Sequence, residues 1–191
     1  MRSSEISLME SLRYEGRTII EGHSTKKYAW GSLHWPELKA DEWGTLPDGR
    51  EVWDVLDEGE LRTLQTTWIK VENTGVYGDM LWSGSMMTAF VSSRFASVIQ
   101  NAGFRGFQLL PLEVQPKRGE RFTGYSLLLP DNNNPDAAIR SFPYPYRPTA
   151  ALDVSAEVMN ALTEAGATDF HAEPASNRAQ AQIESAREEL A

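Results

Sequence analysis

Hydrophobic residues recur with the same spacing in two stretches of the chain, residues 91–111 and 154–174, which align without a gap at an offset of 63. Each stretch has four apolar residues at helical spacing: Phe95, Val98, Ile99 and Ala102 in the first, and Val158, Ala161, Leu162 and Ala165 in the second. Apolar side chains at i, i+3, i+4 and i+7 line one face of a helix. Both stretches therefore predict an amphipathic helix with one buried face.

The residues that are identical in the two stretches have conformational roles. A serine, Ser92 or Ser155, precedes each helix, where its hydroxyl can accept a hydrogen bond from the free amides of the first turn. A glycine follows each helix and can take the left-handed conformation that ends it. Aligned phenylalanines and prolines then bound a short extended segment, at Phe107, Pro111, Phe170 and Pro174. The pattern predicts two related helix-turn-strand units, with Gly103 and Gly166 at positive φ.

The remaining hydrophobic pattern is shorter and more broken. Residues 17–21 and 66–72 predict strands, and residues 107–114 and 121–129 predict a hairpin in which Pro111 argues for an edge or a strand end. Leu46-Pro-Asp-Gly49 predicts a turn. Residues 130–148 are too rich in proline for a helix or a central strand, and residues 176–190 predict a C-terminal amphipathic helix.

Together these elements predict a single α+β domain over residues 1–191. We expect an antiparallel sheet carrying the two related units, at residues 91–129 and 154–174, with the C-terminal helix packed beside them. The first half, residues 1–85, contains all six tryptophans and most of the acidic excess. A chain of 191 residues is long enough to bury a core without disulfides.

The composition mainly excludes certain kinds of site and of cellular location. The chain has no cysteine, which removes disulfides, thiolate nucleophiles and cysteine zinc sites and fits a reducing compartment. Its first residues lack the apolar run of a signal peptide, and no stretch has the ~20 apolar residues of a membrane span. We therefore expect a cytoplasmic protein that does not enter membranes.

The charge is strongly acidic and unevenly distributed. The net charge is −9, and residues 37–60, called here the acidic window, hold nine acids against Lys39 and Arg50, a net charge of −7. Such a segment repels nucleic acid and attracts basic surfaces. We expect no nucleic-acid partner. The acidic window is either a solvated face or a surface that steers a basic protein toward the chain.

Candidate catalytic groups are few. His23, His34 and His171 have no metal-ligand spacing, and Ser24-Thr-Lys-Lys27 matches the short S-x-x-K pattern without its companion motifs. No phosphate-binding loop or nucleophile elbow is present. We expect no enzyme activity, no cofactor and no metal. An enzyme, or a small-molecule or carbohydrate-binding domain that uses the tryptophans as sugar platforms, remains the alternative.

One segment resembles a known family. Residues 90–114 read FVSSRFASVIQNAGFRGFQLLPLEV, which is similar to a pattern common in bacterial immunity proteins of polymorphic toxin systems: Val-Ser, a helix, Gly, a hydrophobic residue, Thr/Arg-Gly-Phe, and Pro-Val-Glu-Val. Leu112 stands where valine is usual, and the paired C-x-x-C motifs of close relatives are absent. The resemblance implies a non-enzymatic protein that binds and neutralises a cognate toxin domain.

The acidic window supplies the candidate binding face for such a toxin. It combines tryptophans, which are favoured anchors of interfaces, with acids that attract a basic partner. The predicted partner-binding residues are Trp43, Glu51, Trp53, Asp54, Asp57 and Glu58. The pattern predicts no particular oligomeric state.

Overall fold

The fold is known from a computed structural model that describes residues 14–34, 45–50, 68–83, 89–142 and 150–178. The described residues form ten strands and two helices, and residues 175–178 are helical as well. The strands are β1 (Thr18–Glu21), β2 (Trp30–His34), β3 (Trp68–Val71), β4 (Met80–Ser83), β5 (Ala89–Ser92), β6 (Phe107–Gln115), β7 (Phe122–Pro130), β8 (Ile139–Ser141), β9 (Leu152–Val154) and β10 (His171–Pro174). The helices are α1 (Ser93–Asn101) and α2 (Ala156–Glu164).

Six strands close into a barrel in the order β2-β3-β6-β7-β5-β4. The pairs β2–β4 and β3–β6 are parallel, and the other four pairs are antiparallel. Closure leaves the barrel without unpaired edges. Its apolar interior is a packed core that includes Leu33, Leu46, Ile69, Leu81, Phe90, Val114 and Leu127.

The other four strands form an antiparallel sheet in the order β10-β1-β9-β8. One face of this sheet shares a second core with the two helices and the outside of the barrel, including Ile20, Val91, Phe95, Ile99, Leu128, Leu152, Val158 and Leu162. The approach is close where β1 ends, because a methyl group added at Gly22 would overlap the backbone of Leu81 and Trp82. The shared core joins the sheet to the barrel.

The two predicted helix-turn-strand units are confirmed. Ser92 and Ser155 are the N-caps of α1 and α2, and their hydroxyls accept hydrogen bonds from the amides of Phe95, at 3.1 Å, and Val158, at 3.4 Å. Both helices have nine residues and end at an aligned alanine. The following glycines, Gly103 and Gly166, have φ of 79° and 66°. Each unit then continues into a strand, β6 or β10.

The repeat extends to strands that the sequence comparison did not include. Ser126 of β7 pairs with Val91 and Pro111, whereas Thr18 of β1 pairs with Val154 and Pro174, the aligned residues of the other unit. Strands β4 and β8 also correspond, since Met80 pairs with Val91 as Ile139 pairs with Val154. The order β6-β7-β5-β4 thus matches β10-β1-β9-β8 with the same register.

We call these copies the barrel unit (β4, β5, α1, β6 and β7) and the sheet unit (β8, β9, α2, β10 and β1). In each unit a helix connects two strands that flank a third strand in the sheet. In the barrel unit the helix connects β5 and β6, and the strand between them is β7, which follows β6 in the chain. In the sheet unit it is β1, which precedes all the other elements. The two copies therefore differ by a circular permutation.

Some expectations about the sheets need correction. The single antiparallel sheet is wrong, because the strands divide between a barrel with two parallel pairs and a separate antiparallel sheet. Strand β8 lies within the proline-rich segment at the edge of its sheet, which agrees with the prediction that this segment forms no central strand. The hairpin of β6 and β7 is confirmed. Pro111 lies inside β6 and has no amide hydrogen to donate. On the β3 side of β6 only residues 113–115 are paired, so no described strand requires a hydrogen bond from Pro111 there.

Two other predicted features are found at the limits of the described residues. The Leu46–Gly49 turn is confirmed by a 2.9 Å hydrogen bond from the Gly49 amide to the Leu46 carbonyl and by a φ of 85° at Gly49. Residues 175–178 are helical where the C-terminal helix was expected, and the remainder of that helix lies outside the described residues.

The duplicated helix ends make a stability prediction. Neither Gly103 nor Gly166 has an atom within 4 Å of where a Cβ would stand, so an added methyl meets only the strain of a positive φ. We expect Gly103→Ala and Gly166→Ala each to lower the free energy of unfolding by about 1 kcal/mol, measured by urea denaturation. An unchanged midpoint for either variant would contradict the cap assignment.

Candidate functional site

Three large apolar side chains stand out of the described surface at one end of the barrel. Val76 is 50% exposed, Tyr77 36% and Phe122 37%. The rings of Tyr77 and Phe122 meet edge to face, with their centroids 5.3 Å apart. We call these three residues the aromatic patch. Exposed aromatic rings that contact one another are typical of protein-binding surfaces.

The sequence places the patch through two turns. Val76 and Tyr77 lie between β3 and β4, and Phe122 is the first residue of β7, paired with the interior residue Val114. Phe122 therefore lies on the interior face of the barrel wall, at the end of the barrel. Tyr125 lies beneath the patch, with its ring centroid 6.3 Å from that of Tyr77. The patch is thus continuous with the packed interior of the barrel.

A buried tyrosine supports the patch from below. The Tyr125 hydroxyl donates a 2.5 Å hydrogen bond to the Gly78 carbonyl, in the turn that carries Tyr77. Burial, reinforced by the nearby charge of Asp79, raises the pKa of Tyr125. The phenol therefore stays protonated and keeps its donor over the physiological pH range.

The carboxylate of Asp79 fixes the other side of this turn. The side chain is 2% exposed and accepts hydrogen bonds from Arg94 Nε at 3.0 Å, Arg94 Nη2 at 2.7 Å and the Ser92 hydroxyl at 2.8 Å. The Asp169 amide donates a further bond of 3.0 Å. Burial alone would raise the pKa of Asp79, but the bonds from Arg94, the Asp169 amide and Ser92 outweigh it and lower the pKa.

Arg94 is the solvent-facing partner of this carboxylate. Its side chain is 56% exposed, and the hydrogen bond and charge of Asp79 raise its pKa. Both of its hydrogen bonds to the carboxylate come from one edge of the guanidinium. The arrangement therefore holds a cation in a fixed orientation at the start of α1, close to Tyr125.

A second buried carboxylate, Asp153, lies in the sheet unit. Arg17 Nε donates to it at 2.5 Å, and Arg140 donates to its other oxygen through Nε, at 2.9 Å, and Nη2. Asp153 is fully buried, and Arg140 nearly so. This cluster joins β8, β9 and the residue before β1. Its position within the sheet indicates a structural role.

The predicted partner-binding residues lie outside the described residues: Trp43, Glu51, Trp53, Asp54, Asp57 and Glu58. The described part of the acidic window is residues 45–50. There Leu46 packs into the barrel core, which attaches the window to the barrel. Asp48 pairs with Arg50 at 2.9 Å, and hydrogen bonds from the amide and side chain of Arg50 lower the pKa of Asp48.

The three histidines occupy separate places. His23 stacks on Tyr28 with a centroid distance of 4.0 Å, and its Nε2 is 3.4 Å from an oxygen of Asp169. His34 packs against Trp68. His171 is on β10 in the sheet unit. No histidine is brought together with another in the part of the chain that the structure describes.

The tryptophans within the described ranges are packed against other side chains. Trp30 and Trp82 lie on paired strands and meet at 75°, edge to face. The Arg121 guanidinium covers the Trp68 ring at 3.8 Å. These three rings do not form a coplanar platform for a sugar.

One group of described side chains has the composition of a metal site. The ligand atoms of Glu21, His171 and Glu173 lie within 4.8 Å of one another on β1 and β10. However, the Arg178 guanidinium binds Glu21 at 2.6 Å and also pairs with Glu173. A side-chain cation therefore already pairs with both carboxylates.

No protein-family model matches the chain, and no curated protein matches it. Within the described residues, no helix is both long and apolar enough to cross a membrane.

Sequence reasoning did not find the aromatic patch, Tyr125 or Asp79. No element was predicted for residues 76–79, and Phe122 was predicted only as part of a strand. A signal was present, because Tyr77 is an aromatic residue in a turn that Gly75 and Gly78 flank. An aromatic side chain in such a turn has no strand face on which to be buried.

Replacing each of the two buried carboxylates should lower the free energy of unfolding by a different amount at neutral pH. Asp79→Asn should cost about 2 kcal/mol in the free energy of unfolding, because it loses charged hydrogen bonds whose cation can reach solvent. Asp153→Asn should cost more, about 3–5 kcal/mol, because it removes the carboxylate that Arg17 and Arg140 share inside the protein. Urea denaturation of both variants at pH 7 measures the difference, and an equal cost would contradict it.

The cost of Asp79→Asn should also depend on pH. The pKa of Asp79 is lowered in the folded protein, so the stability it adds is fully present above its unfolded value, near 3.8. That stability is lost as the pH falls through the lower folded value. The difference between wild type and Asp79→Asn should shrink below pH 4, and a constant difference down to about pH 2 would contradict the lowered pKa.

Proposed function

We propose that this chain is an immunity protein that binds a cognate antibacterial toxin domain in the cytoplasm and neutralises it stoichiometrically, without catalysis, metal or cofactor. The observation that carries the proposal is the aromatic patch of Val76, Tyr77 and Phe122 at the end of a closed barrel. The resemblance of residues 90–114 to immunity proteins supports it independently.

The patch is suited to binding because it is already ordered. Tyr125 holds the turn through Gly78, and Asp79 holds it through Ser92, Arg94 and the Asp169 amide. Ordering side chains costs binding free energy, so a supported aromatic surface retains more of its contact energy. Tyrosine and arginine are enriched among residues that dominate interfaces. Tyr77 and Phe122 are the proposed anchors, and Arg94, bound to Asp79, is a third candidate.

Charge defines the class of partner. The net charge of −9, with −7 in the acidic window, disfavours nucleic acid and anionic membranes and favours a basic protein. In this proposal Glu51, Asp54, Asp57 and Glu58 raise the association rate, and Trp43 and Trp53 contribute further anchors. Neutralisation then requires that the lifetime of the complex exceeds the time that the toxin needs to meet its target.

Co-expression tests the proposal directly. A toxin encoded beside this protein should kill its host cell alone and should not kill it when this chain is co-produced. Tyr77→Ala combined with Phe122→Ala should abolish protection and weaken binding by about 2 kcal/mol or more, roughly 30-fold in Kd, because anchor rings are removed. Isothermal titration with purified toxin measures the loss.

Tyr77→Phe combined with Phe122→Tyr is the matched control. It keeps both rings and should retain protection, provided that thermal melting shows both double variants to be folded. Full protection by the folded alanine variant would remove the patch from the interface. Failure of the wild-type chain to protect or bind would refute the immunity function itself.

The acidic window makes a kinetic prediction. Reversing the charges of Glu51, Asp54, Asp57 and Glu58 to lysine should lower the association rate about tenfold and flatten its salt dependence, because steering acts at long range. If these acids form a solvated surface, as proposed, the melting temperature should change little, because exposed charges contribute little to folding. Stopped-flow measurements at several salt concentrations supply both quantities.

Reversal of four exposed acids elsewhere provides the control: Glu15, Asp131, Asp136 and Glu164. The control reversals change the net charge by the same amount as the reversals in the acidic window. If the acidic window faces the partner, the control reversals should lower the association rate less. Equal effects of the two sets would show that only net charge matters. No effect of either set would leave the window as a solvated face.

A further inference from the structure

A groove of about 510 Å³ runs between α1 and the strands β6 and β7 of the barrel unit. Ser93, Ser97 and Gln100 line it from the helix, and Glu113, Thr123 and Ser126 line it from the strands. Its volume lies within the range of sites that hold a ligand or a short segment of chain. Ala96, Leu112 and Tyr125 also border it.

The groove residue Ser126 has a hydroxyl with no hydrogen-bond partner among the described residues. Ser126 is 8% exposed, yet no residue within the described ranges hydrogen-bonds with its side chain. A buried hydroxyl normally has a partner, because leaving one unpaired costs about 1–3 kcal/mol. A group that enters the groove can supply the missing hydrogen bond.

Four exposed polar side chains also line the groove, whereas Glu113 pairs with Arg121 at 3.5 Å. The side chains of Ser93, Ser97, Gln100 and Thr123 make no hydrogen bond to any residue that the structure describes. Ser93, Ser97 and Gln100 are spaced i, i+4 and i+7 on α1, so they form a line about 10 Å long. Hydroxyl and amide groups can both donate and accept.

This chemistry selects the occupant. No described residue that lines the groove is basic, which disfavours phosphates and carboxylates. The Tyr125 ring is buried in the barrel, so it offers no platform for a sugar. An extended peptide presents alternating N–H and C=O groups, and three of its residues span about 10 Å. The polar line matches such a backbone.

The groove adjoins the aromatic patch. Phe122 of the patch and Thr123 of the groove are consecutive, and Tyr125 both touches Tyr77 and lines the groove. We infer that the groove receives an extended backbone segment of the same toxin domain that the patch binds. This inference rests on the proposed function.

The duplication provides a comparison within the molecule. In the sheet unit Met159 stands at the position of Ala96 and packs partly against the shared core. Asn160 stands at the position of the groove residue Ser97, and both are exposed on their helices. The small Ala96 side chain leaves space in the barrel unit that a methionine occupies in the other copy. Asn160 is therefore a matched control for Ser97.

Because the chain has no cysteine, a single thiol can report on the groove. Ser97→Cys and Asn160→Cys should react with iodoacetamide at similar rates in the free protein. On adding the inactivated toxin encoded beside this chain, the rate at Ser97→Cys should fall about tenfold or more, and the rate at Asn160→Cys should change less than about twofold. Ser97→Trp, which fills the groove from an exposed position, should weaken binding about tenfold, whereas Asn160→Trp should not.

The outcomes separate this inference from the proposed function. A complex that forms without protecting Ser97→Cys overturns the groove assignment and leaves the immunity function standing. Unchanged affinity of Ser97→Trp overturns it equally. Protection of Ser97→Cys by chitotriose alone would make the groove a sugar site and refute the peptide assignment. Absence of any complex with the toxin refutes both proposals.

Discussion

The hydrogen bonds to the Asp79 carboxylate hold together parts of the fold that are far apart in the chain. The carboxylate binds the N-cap serine and Arg94 at the start of α1, and the Asp169 amide just before β10. The Asp79 backbone makes two further bonds of 2.8 Å: its carbonyl accepts from the Ser92 amide, and its amide donates to the Asp169 carbonyl. One residue therefore joins the barrel unit to the sheet unit and sets the turn that exposes Tyr77.

The two units share one part of this arrangement and differ in another. Ser155 donates its amide to the Ala138 carbonyl at 2.8 Å, as Ser92 does to Asp79. Ala138 has no carboxylate, so the sheet unit keeps the backbone bond and lacks the side-chain bonds. The units also differ in the face that forms the barrel interior. Phe90 and Leu81 are paired there, whereas Asp153 and Arg140 occupy the corresponding positions in the sheet unit.

The sequence predicted features that depend on local conformation. Serine caps, helix periodicity and glycines at positive φ each leave a mark within a few residues, so Ser92, Gly103 and their counterparts could be recognised. Barrel closure depends on parallel pairing of β2 with β4 and of β3 with β6, between strands separated by long stretches of chain. No local pattern specifies such pairings. Strand β1 was equally hidden as a counterpart of β7, because the permutation removes any common offset.

The candidate site also depends on contacts between distant parts of the chain, so no local pattern predicted it. The Tyr77, Phe122 and Tyr125 cluster comes together only when the turn before β4 meets the start of β7 at the end of the closed barrel. In sequence these residues are a turn aromatic and two strand aromatics. Conversely, the acidic window was evident from composition, because charge acts at long range and needs no defined contact geometry. Long-range attraction of a basic partner can be predicted from the charge of such a segment. Contacts that hold the partner in place depend on surfaces that exist only in the folded chain.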